Sequence, residues 1–300
     1  MPITDKDSPI RIIAVSSGKG GVGKSTVSIN LALAMAERSL NIGLLDADIY
    51  GSSLTNMLNT HGQLSASNAN SLVPPTIHGI KCLSMSMLVE NNQPIIWRGP
   101  MLHGILQQFL TEVDWGDIGY LLIDMPPGTG DVLLSLAELL PRMEVILVTT
   151  PKHDARAVAS RAAAASMKLK VKLQGVVENM SWFIGRDGTR YALFGKGGGQ
   201  QLADEYSVPL LAQIPLYHDP KNDSSEDGHT RSDHVDSKHS DRGRVADSDD
   251  FEDSEAKPIM LNTSLENKII DECKDAYRKL AEKVVAMKPS KIRKRELRLH

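Results

Sequence analysis

Six short apolar runs punctuate this chain, and the stretches between them carry hydrophobic residues at helical spacing. "IRIIAVSS" (10–17) is β-branched and ends in small residues. "NIGLLDAD" (41–48) and "GYLLIDMPPGTGD" (119–131) pass from apolar to acidic residues. "EVILVTTP" (144–151), "VKLQGVVENM" (171–180) and "VPLLAQIPL" (208–216) complete the set. Continuous apolar runs of this length read as strands buried on both faces. Between them, 24–38 has Ile29, Leu33 and Ala36 on one helical face, and 153–168 carries a run of alanines. Strands alternating with helices predict an α/β fold, a mainly parallel sheet covered by helices on both faces. Ligands of such sheets bind at the carboxyl ends of the strands.

The pattern lapses over 219–257, where Asp, Ser, Lys, Arg and His dominate. That composition cannot bury enough surface to offset ordering entropy and predicts a disordered insertion. His229, His234 and His239 recur there among aspartates, a weak metal-binding pattern against the simpler reading of a solvated linker. Helical spacing resumes over 264–285 with Leu265, Ile269, Cys273, Ala276, Leu280 and Val284. The expected organisation is an N-terminal extension (1–9), a core domain (10–218), the insertion (219–257), a C-terminal helix packed on the core (258–287) and a basic tail (288–300).

Charge and cysteine usage narrow the function classes. With 300 residues, 41% hydrophobic content and a net charge of -3, the chain lacks the global basic field of a nucleic-acid binder. The N-terminus has no apolar signal core, and no apolar run approaches the ~20 residues of a membrane span. A cytoplasmic protein without stable membrane association is expected. Two cysteines, Cys82 and Cys273, supply neither a disulfide framework nor a paired-cysteine metal motif.

The chemistry concentrates after the first strand. Gly18-Lys19-Gly20-Gly21-Val22-Gly23-Lys24-Ser25 fits G-x-x-x-x-G-K-[ST] between a strand and a helix. Glycines let backbone N–H groups close around phosphate oxygens, and the helix start adds partial positive charge. Lys24 is expected on the β- and γ-phosphates, Ser25 on Mg²⁺ and Thr26 on the α-phosphate. Asp124 ends "YLLID" and, with Asp46, is expected near the Mg²⁺. Asp48 is placed to orient the attacking water, and Gly128 to offer an N–H to the γ-phosphate. Three carboxylates at strand ends around one loop are more than helix caps require. No N/T-K-x-D guanine reader follows the fifth strand.

"SSGKGGVGKST", "GLLDADIYGSS", "IIWRGPM", "LLIDMPPGTGD", "GVVENMS", "FGKGGG" and "QIPL" together resemble the Mrp/ApbC family of iron–sulfur cluster carrier ATPases. These are P-loop NTPases with a deviant Walker A loop, related to MinD, ArsA and nitrogenase iron protein. The resemblance runs from about residue 10 to 217 and resumes weakly in the terminal helix. Many relatives carry a small extra N-terminal domain, whereas here the first strand begins almost at once. The resemblance implies ATP as the nucleotide, with Asn179 hydrogen-bonding adenine. It also implies a homodimer in which Lys19 reaches across the interface to the partner's nucleotide. It further implies a [4Fe–4S] cluster shared between subunits and passed to apoproteins, with cluster scaffold proteins as further partners. The family's C-x-x-C ligands are replaced here by Gly185 and an Arg186-Asp187-Gly188 turn. That leaves Cys82, expected just after the "IHGIK" strand, as a weak candidate ligand. Hydrolysis is expected to be slow without a client. Two alternatives remain beside the carrier: an ATP-driven interaction switch without a cluster, and, more remotely, a MinD- or ParA-like partitioning ATPase. The tail has only Ile292, Leu297 and Leu299 as large apolar residues, which argues against the last.

Overall fold

The computed structural model describes residues 3–48, 53–58, 65–66, 71–84, 87, 99–128, 130–185, 188–216, 258–262 and 268–290. The expectations for 219–257 with its histidines, for Trp97 and Arg98, for Arg186 and Asp187, for 264–267 and for the tail from 291 lie outside the described residues.

The strands in chain order are β1 (Arg11–Ser17), β2 (Ile42–Asp46), β3 (Ser65–Ala66), β4 (Leu72–Val73), β5 (Thr76–Ile77) and β6 (Ile80–Ser84). They continue with β7 (Tyr120–Asp124), β8 (Glu144–Thr149), β9 (Lys172–Glu178), β10 (Phe183–Ile184), β11 (Arg190–Tyr191) and β12 (Leu210–Gln213). The helices are α1 (Lys24–Ala36), α2 (Ser53–Met57), α3 (Gly99–Thr111), α4 (Asp131–Leu139), α5 (His153–Lys168), α6 (Gly198–Glu205) and α7 (Lys268–Ala286).

Eight strands form one sheet in the order β12-β9-β8-β1-β7-β2-β6-β5. All neighbours run parallel except β5, which pairs antiparallel with β6 at the edge. Every residue of β1 is buried, as a central parallel strand requires. Its alternation feeds two cores. Ile12 and Ala14 point into one with Leu106, Phe109, Leu136 and Ala162, on the face covered by α3, α4 and α5. Ile13 and Val15 point into the other with Ile29, Leu33, Tyr277 and Leu280, under α1 and α7.

Two details depart from the periodicity. Helix α1 is buried beyond the Ile29 and Leu33 face, because Leu31, Ala34 and Met35 are also enclosed. The reason is α7, which packs along α1. The buried stripe of α7 is Ile270, Cys273, Tyr277, Leu280, Ala281 and Val284. Polar ties hold it in place: the Arg11 guanidinium donates to the Val284 carbonyl at 2.6 Å, and the Lys283 ammonium to the Leu211 carbonyl at 2.7 Å. Arg278 also pairs with Glu37 at 3.0 Å on the surface. The second departure is β6, which enters the sheet beside β2. Cys82 therefore lies inside a strand, level with Leu44, instead of following one.

The chain leaves β1 to build β7, β2 and β6 on one side and β8, β9 and β12 on the other. Strand order thus reverses beside β1, and the carboxyl ends of the strands around such a point are where these sheets bind ligands.

Candidate functional site

Residues 18–23 link β1 to α1, and sterics explain their glycines. A Cβ on Gly18 would lie 2.3 Å from the carbonyl carbon of Val158 and 2.4 Å from the Ala159 nitrogen, both backbone atoms of α5. Gly23 has φ +78°, and a Cβ there would meet the Asn179 amide nitrogen at 2.3 Å. Left-handed backbone leading directly into a helix N-terminus gathers N–H groups around an anion.

The first residues of α1 converge on Asp124. The Lys24 ammonium is 2.6 Å from Asp124 Oδ2, with both side chains almost fully buried. Ser25 Oγ donates to the same oxygen at 2.6 Å, and Ser28 Oγ to Oδ1 at 2.6 Å. Asp46 lies beside them, its Oδ1 accepting the Asp48 N–H at 3.0 Å and its Oδ2 the Ser84 hydroxyl at 3.2 Å. Burial, followed by the charge of Asp124, pushes the Asp46 carboxyl up to about 8. A hydroxyl and two carboxylates beside a phosphate-shaped loop are the hard oxygen donors Mg²⁺ takes alongside nucleotide phosphates. Among the described residues no group of three or more His, Cys, Asp or Glu could hold a metal ion unaided.

A cavity of about 460 Å³ opens from the loop, a volume suited to a small-molecule ligand. One end is polar, formed by residues 19–26 with Asp48. The other is mostly apolar, walled by Met180, Ile214, Leu216, Ile259, Cys273 and Tyr277. Tyr277 is only 2% exposed, and burial pushes its phenol upward. Burial, aided by Glu272, pushes the Cys273 thiol up to about 12.

The remaining expected residues are placed as follows. Lys19 lines the cavity mouth, its carbonyl accepting the Ser17 hydroxyl at 3.0 Å. Among the described residues it has no ion pair. Gly128 has φ +102°, and its N–H donates to the Ser17 carbonyl at 3.0 Å. Asn179 donates its side-chain amide to the Val22 carbonyl at 2.9 Å, so it braces the phosphate loop from the end of β9. Gly20, Gly21, Val22 and Thr26 line the cavity, while Gly18 packs against α5. Cys82 is wholly buried in β6, and burial pushes its thiol up to about 12.

Sequence reasoning does not single out Ser28, Glu178 or Tyr277. Ser28 stands four residues after Lys24, on the same helix face, and that spacing is the available signal. Tyr277 lies on the apolar stripe of α7, and nothing local marks it as a cavity residue.

Parallel sheet, phosphate loop and strand-end carboxylates define a P-loop NTPase. Residues 9–246 match the NUBPL iron-transfer P-loop NTPase family, of ParA type, and the chain belongs to that family. Among curated proteins it is similar to the "Iron-sulfur cluster carrier protein" of Mycobacterium leprae, 48% identical over 222 residues. That alignment covers 72% of this chain and 58% of the relative, so the chain spans about three fifths of the relative's length. The protein of the same name from Bacillus subtilis is 45% identical, covering 71% of this chain and 61% of the relative. Among solved structures, a nucleotide-binding protein from Archaeoglobus fulgidus in complex with ADP has a TM-score of 0.63 at 35% identity. It covers 72% of this chain and 86% of its own. MinD from Pyrococcus horikoshii, complexed with Mg-ADP, shares the fold with a TM-score of 0.58 at 20% identity, over 92% and 96% of the two chains. Among the described residues no helix is long and apolar enough to cross a membrane.

Proposed function

We propose that this protein is a homodimeric, Mg²⁺-dependent ATPase that carries iron–sulfur clusters to apoproteins in the cytoplasm. The observation that carries this reading is the convergence of Lys24 and Ser25 on Asp124, each at 2.6 Å, at the polar end of the cavity. On ATP binding, Lys24 moves its charge from Asp124 to the β- and γ-phosphates, and Thr26 donates to the α-phosphate. Ser25, Asp124 and Asp46 hold Mg²⁺, which when bound neutralises charge on the β- and γ-phosphate oxygens. Asp48 orients the attacking water, and the Gly128 N–H turns from Ser17 to the γ-phosphate. Asn179 faces adenine. Lys19 reaches the nucleotide of a second copy and stabilises charge in the transition state.

The cluster is cargo. A second reading, an ATP-driven switch without a cluster, is favoured by one observation: both thiols, Cys82 and Cys273, are buried. Anaerobic iron–sulfur reconstitution of the full chain separates the two. Iron and sulfide would be measured per dimer, with the visible spectrum, for the wild type, Cys82→Ala and Cys273→Ala. A stable cluster, lost in one cysteine variant, supports the carrier. Intact ATPase activity with no cluster in any of the three proteins leaves the switch.

A further inference from the structure

Glu178, the last residue of β9, is 1% exposed and joins its own 178–181 turn to two other stretches of chain. Its Oε2 accepts the N–H of Gly199 at 2.6 Å. Its Oε1 accepts the Gln213 side-chain amide at 2.8 Å and lies 3.0 Å from the Ser181 hydroxyl. Its carbonyl accepts the N–H of Ile214 at 2.9 Å. Among the described residues no cation pairs with it. A buried carboxylate is costly unless its oxygens are fully hydrogen-bonded, and here every donor to them comes from a different segment.

Those segments bound the apolar end of the nucleotide cavity. Asn179, the next residue, is fixed by its N–H to the Thr149 carbonyl at 2.8 Å and by its side chain to the phosphate loop. Gln213 leads directly into Ile214, Pro215 and Leu216, which form one wall. Ser181 binds that wall again, its N–H donating to the Ile214 carbonyl at 2.9 Å. Gly199 belongs to the glycine run of "FGKGGG", a motif the nucleotide chemistry leaves unexplained. The geometry explains it. Gly197 adopts φ +78°, a Cβ on Gly198 would lie 2.5 Å from the Pro151 carbonyl oxygen, and one on Gly199 would lie 2.6 Å from Glu178 Cβ. The run lets the N-terminus of α6 close onto the carboxylate, where unpaired helix N–H groups and the helix dipole favour negative charge.

We propose that Glu178 is the positioning residue of the nucleoside end of the site. Its carboxylate clamps the 179–181 turn and the 213–216 wall onto the glycine run, and so sets their position against the phosphate loop. This inference rests on the ATP-binding reading above. Glu178 holds nothing at the phosphate end, so its loss falls on nucleoside recognition and spares triphosphate binding.

The test measures Mg²⁺-dependent binding of ATP and of inorganic tripolyphosphate to the full chain, with steady-state turnover. The proteins are wild type, Glu178→Gln, Gly199→Ala and Gln213→Ala, each checked for native near-UV circular dichroism. The amide introduced by Glu178→Gln cannot satisfy both sets of donors, because one of its ends is itself a donor. The expected result is a loss of ATP affinity of about tenfold for Glu178→Gln, a hydrogen-bond-sized effect, with tripolyphosphate affinity and kcat at saturating ATP unchanged. Gly199→Ala pushes α6 off the carboxylate and loses ATP affinity in the same selective way. Gln213→Ala removes a single donor from an exposed residue, keeps the fold and shows a smaller shift of the same kind. Parallel loss of both ligands, or unchanged ATP affinity in folded Glu178→Gln, overturns the proposal. A wild type that binds tripolyphosphate but not ATP would instead overturn the ATP reading.

Discussion

Asp46 and Asp124 are register partners at the carboxyl ends of β2 and β7, two acidic residues side by side on neighbouring parallel strands. Lys24 and two serine hydroxyls serve Asp124, whereas Asp46 receives an N–H and a hydroxyl and is wholly buried. Burial, and after it the charge of Asp124, keeps a proton on Asp46, whose pKa rises from 3.8 to about 8. Between those values the folded state binds more protons than the unfolded one. Stability of the nucleotide-free, Mg²⁺-free protein therefore falls as pH rises through that window, with a slope of at most about 1.4 kcal/mol per pH unit. Asp46→Asn removes this slope. Denaturant titrations at pH 5, 6.5 and 8 check it, and a flat wild-type profile would show that Asp46 is ionised throughout.

Lys24 is the cation that neutralises Asp124. Lys24→Ala leaves a buried carboxylate with hydroxyl donors alone, which destabilises the nucleotide-free fold by about 3 kcal/mol. It also removes the charge meant for the phosphates and weakens ATP binding roughly 100-fold. Calorimetric ATP titration of the folded variant checks the second effect. Unchanged affinity would remove Lys24 from the phosphate site.

Lys19 lines the same cavity without an ion pair among the described residues, so its charge is available to a ligand or a second copy. Lys19→Ala leaves the fold and ATP binding of the monomer unchanged. Turnover falls roughly 100-fold and ATP-dependent dimerisation weakens, as loss of a transition-state cation requires. Size-exclusion chromatography with ATP, run beside a phosphate-release assay, reads both. Normal turnover in a monomeric variant would refute the cross-subunit role.

The phosphate loop is legible in the sequence because its parts are contiguous: one strand, a short glycine-rich stretch and one helix. The strand-end aspartates are legible because apolar runs end on them. What stays hidden is whatever depends on long-range placement. The pairing of Asp46 with Asp124 follows from sheet order, which β2 and β7 do not encode locally. Tyr277 joins the cavity only because α7 packs on α1, from the opposite end of the chain. The strand expected over "IHGIK" ends at Lys81 and so leaves Cys82 beyond it. In the structure the Lys81 ammonium reaches the Trp115 carbonyl at 2.7 Å and the strand runs on to Ser84. Asn179 sits at the expected strand end, but its amide is engaged by the Val22 carbonyl, a partner 157 positions away.

Two glycines of one loop carry opposite expectations. At Gly18 an added methyl meets backbone of α5, Val158 and Ala159, which cannot rotate aside as a side chain would. Gly18→Ala must push the loop away from α5 or α5 away from β1, at a cost of about 3 kcal/mol. At Gly20 an added methyl meets nothing within 4 Å, and the backbone has no left-handed strain. Gly20→Ala therefore changes stability by less than about 0.5 kcal/mol. Thermal melts of the two nucleotide-free variants measure the difference directly. Because Gly18 opens the loop whose N–H groups would cradle the phosphates, Gly18→Ala also loses ATP affinity, even at temperatures where it stays folded. A Gly18→Ala protein as stable as Gly20→Ala would mean that α5 yields easily, and that the close approach of loop and helix is not what holds the phosphate loop in shape.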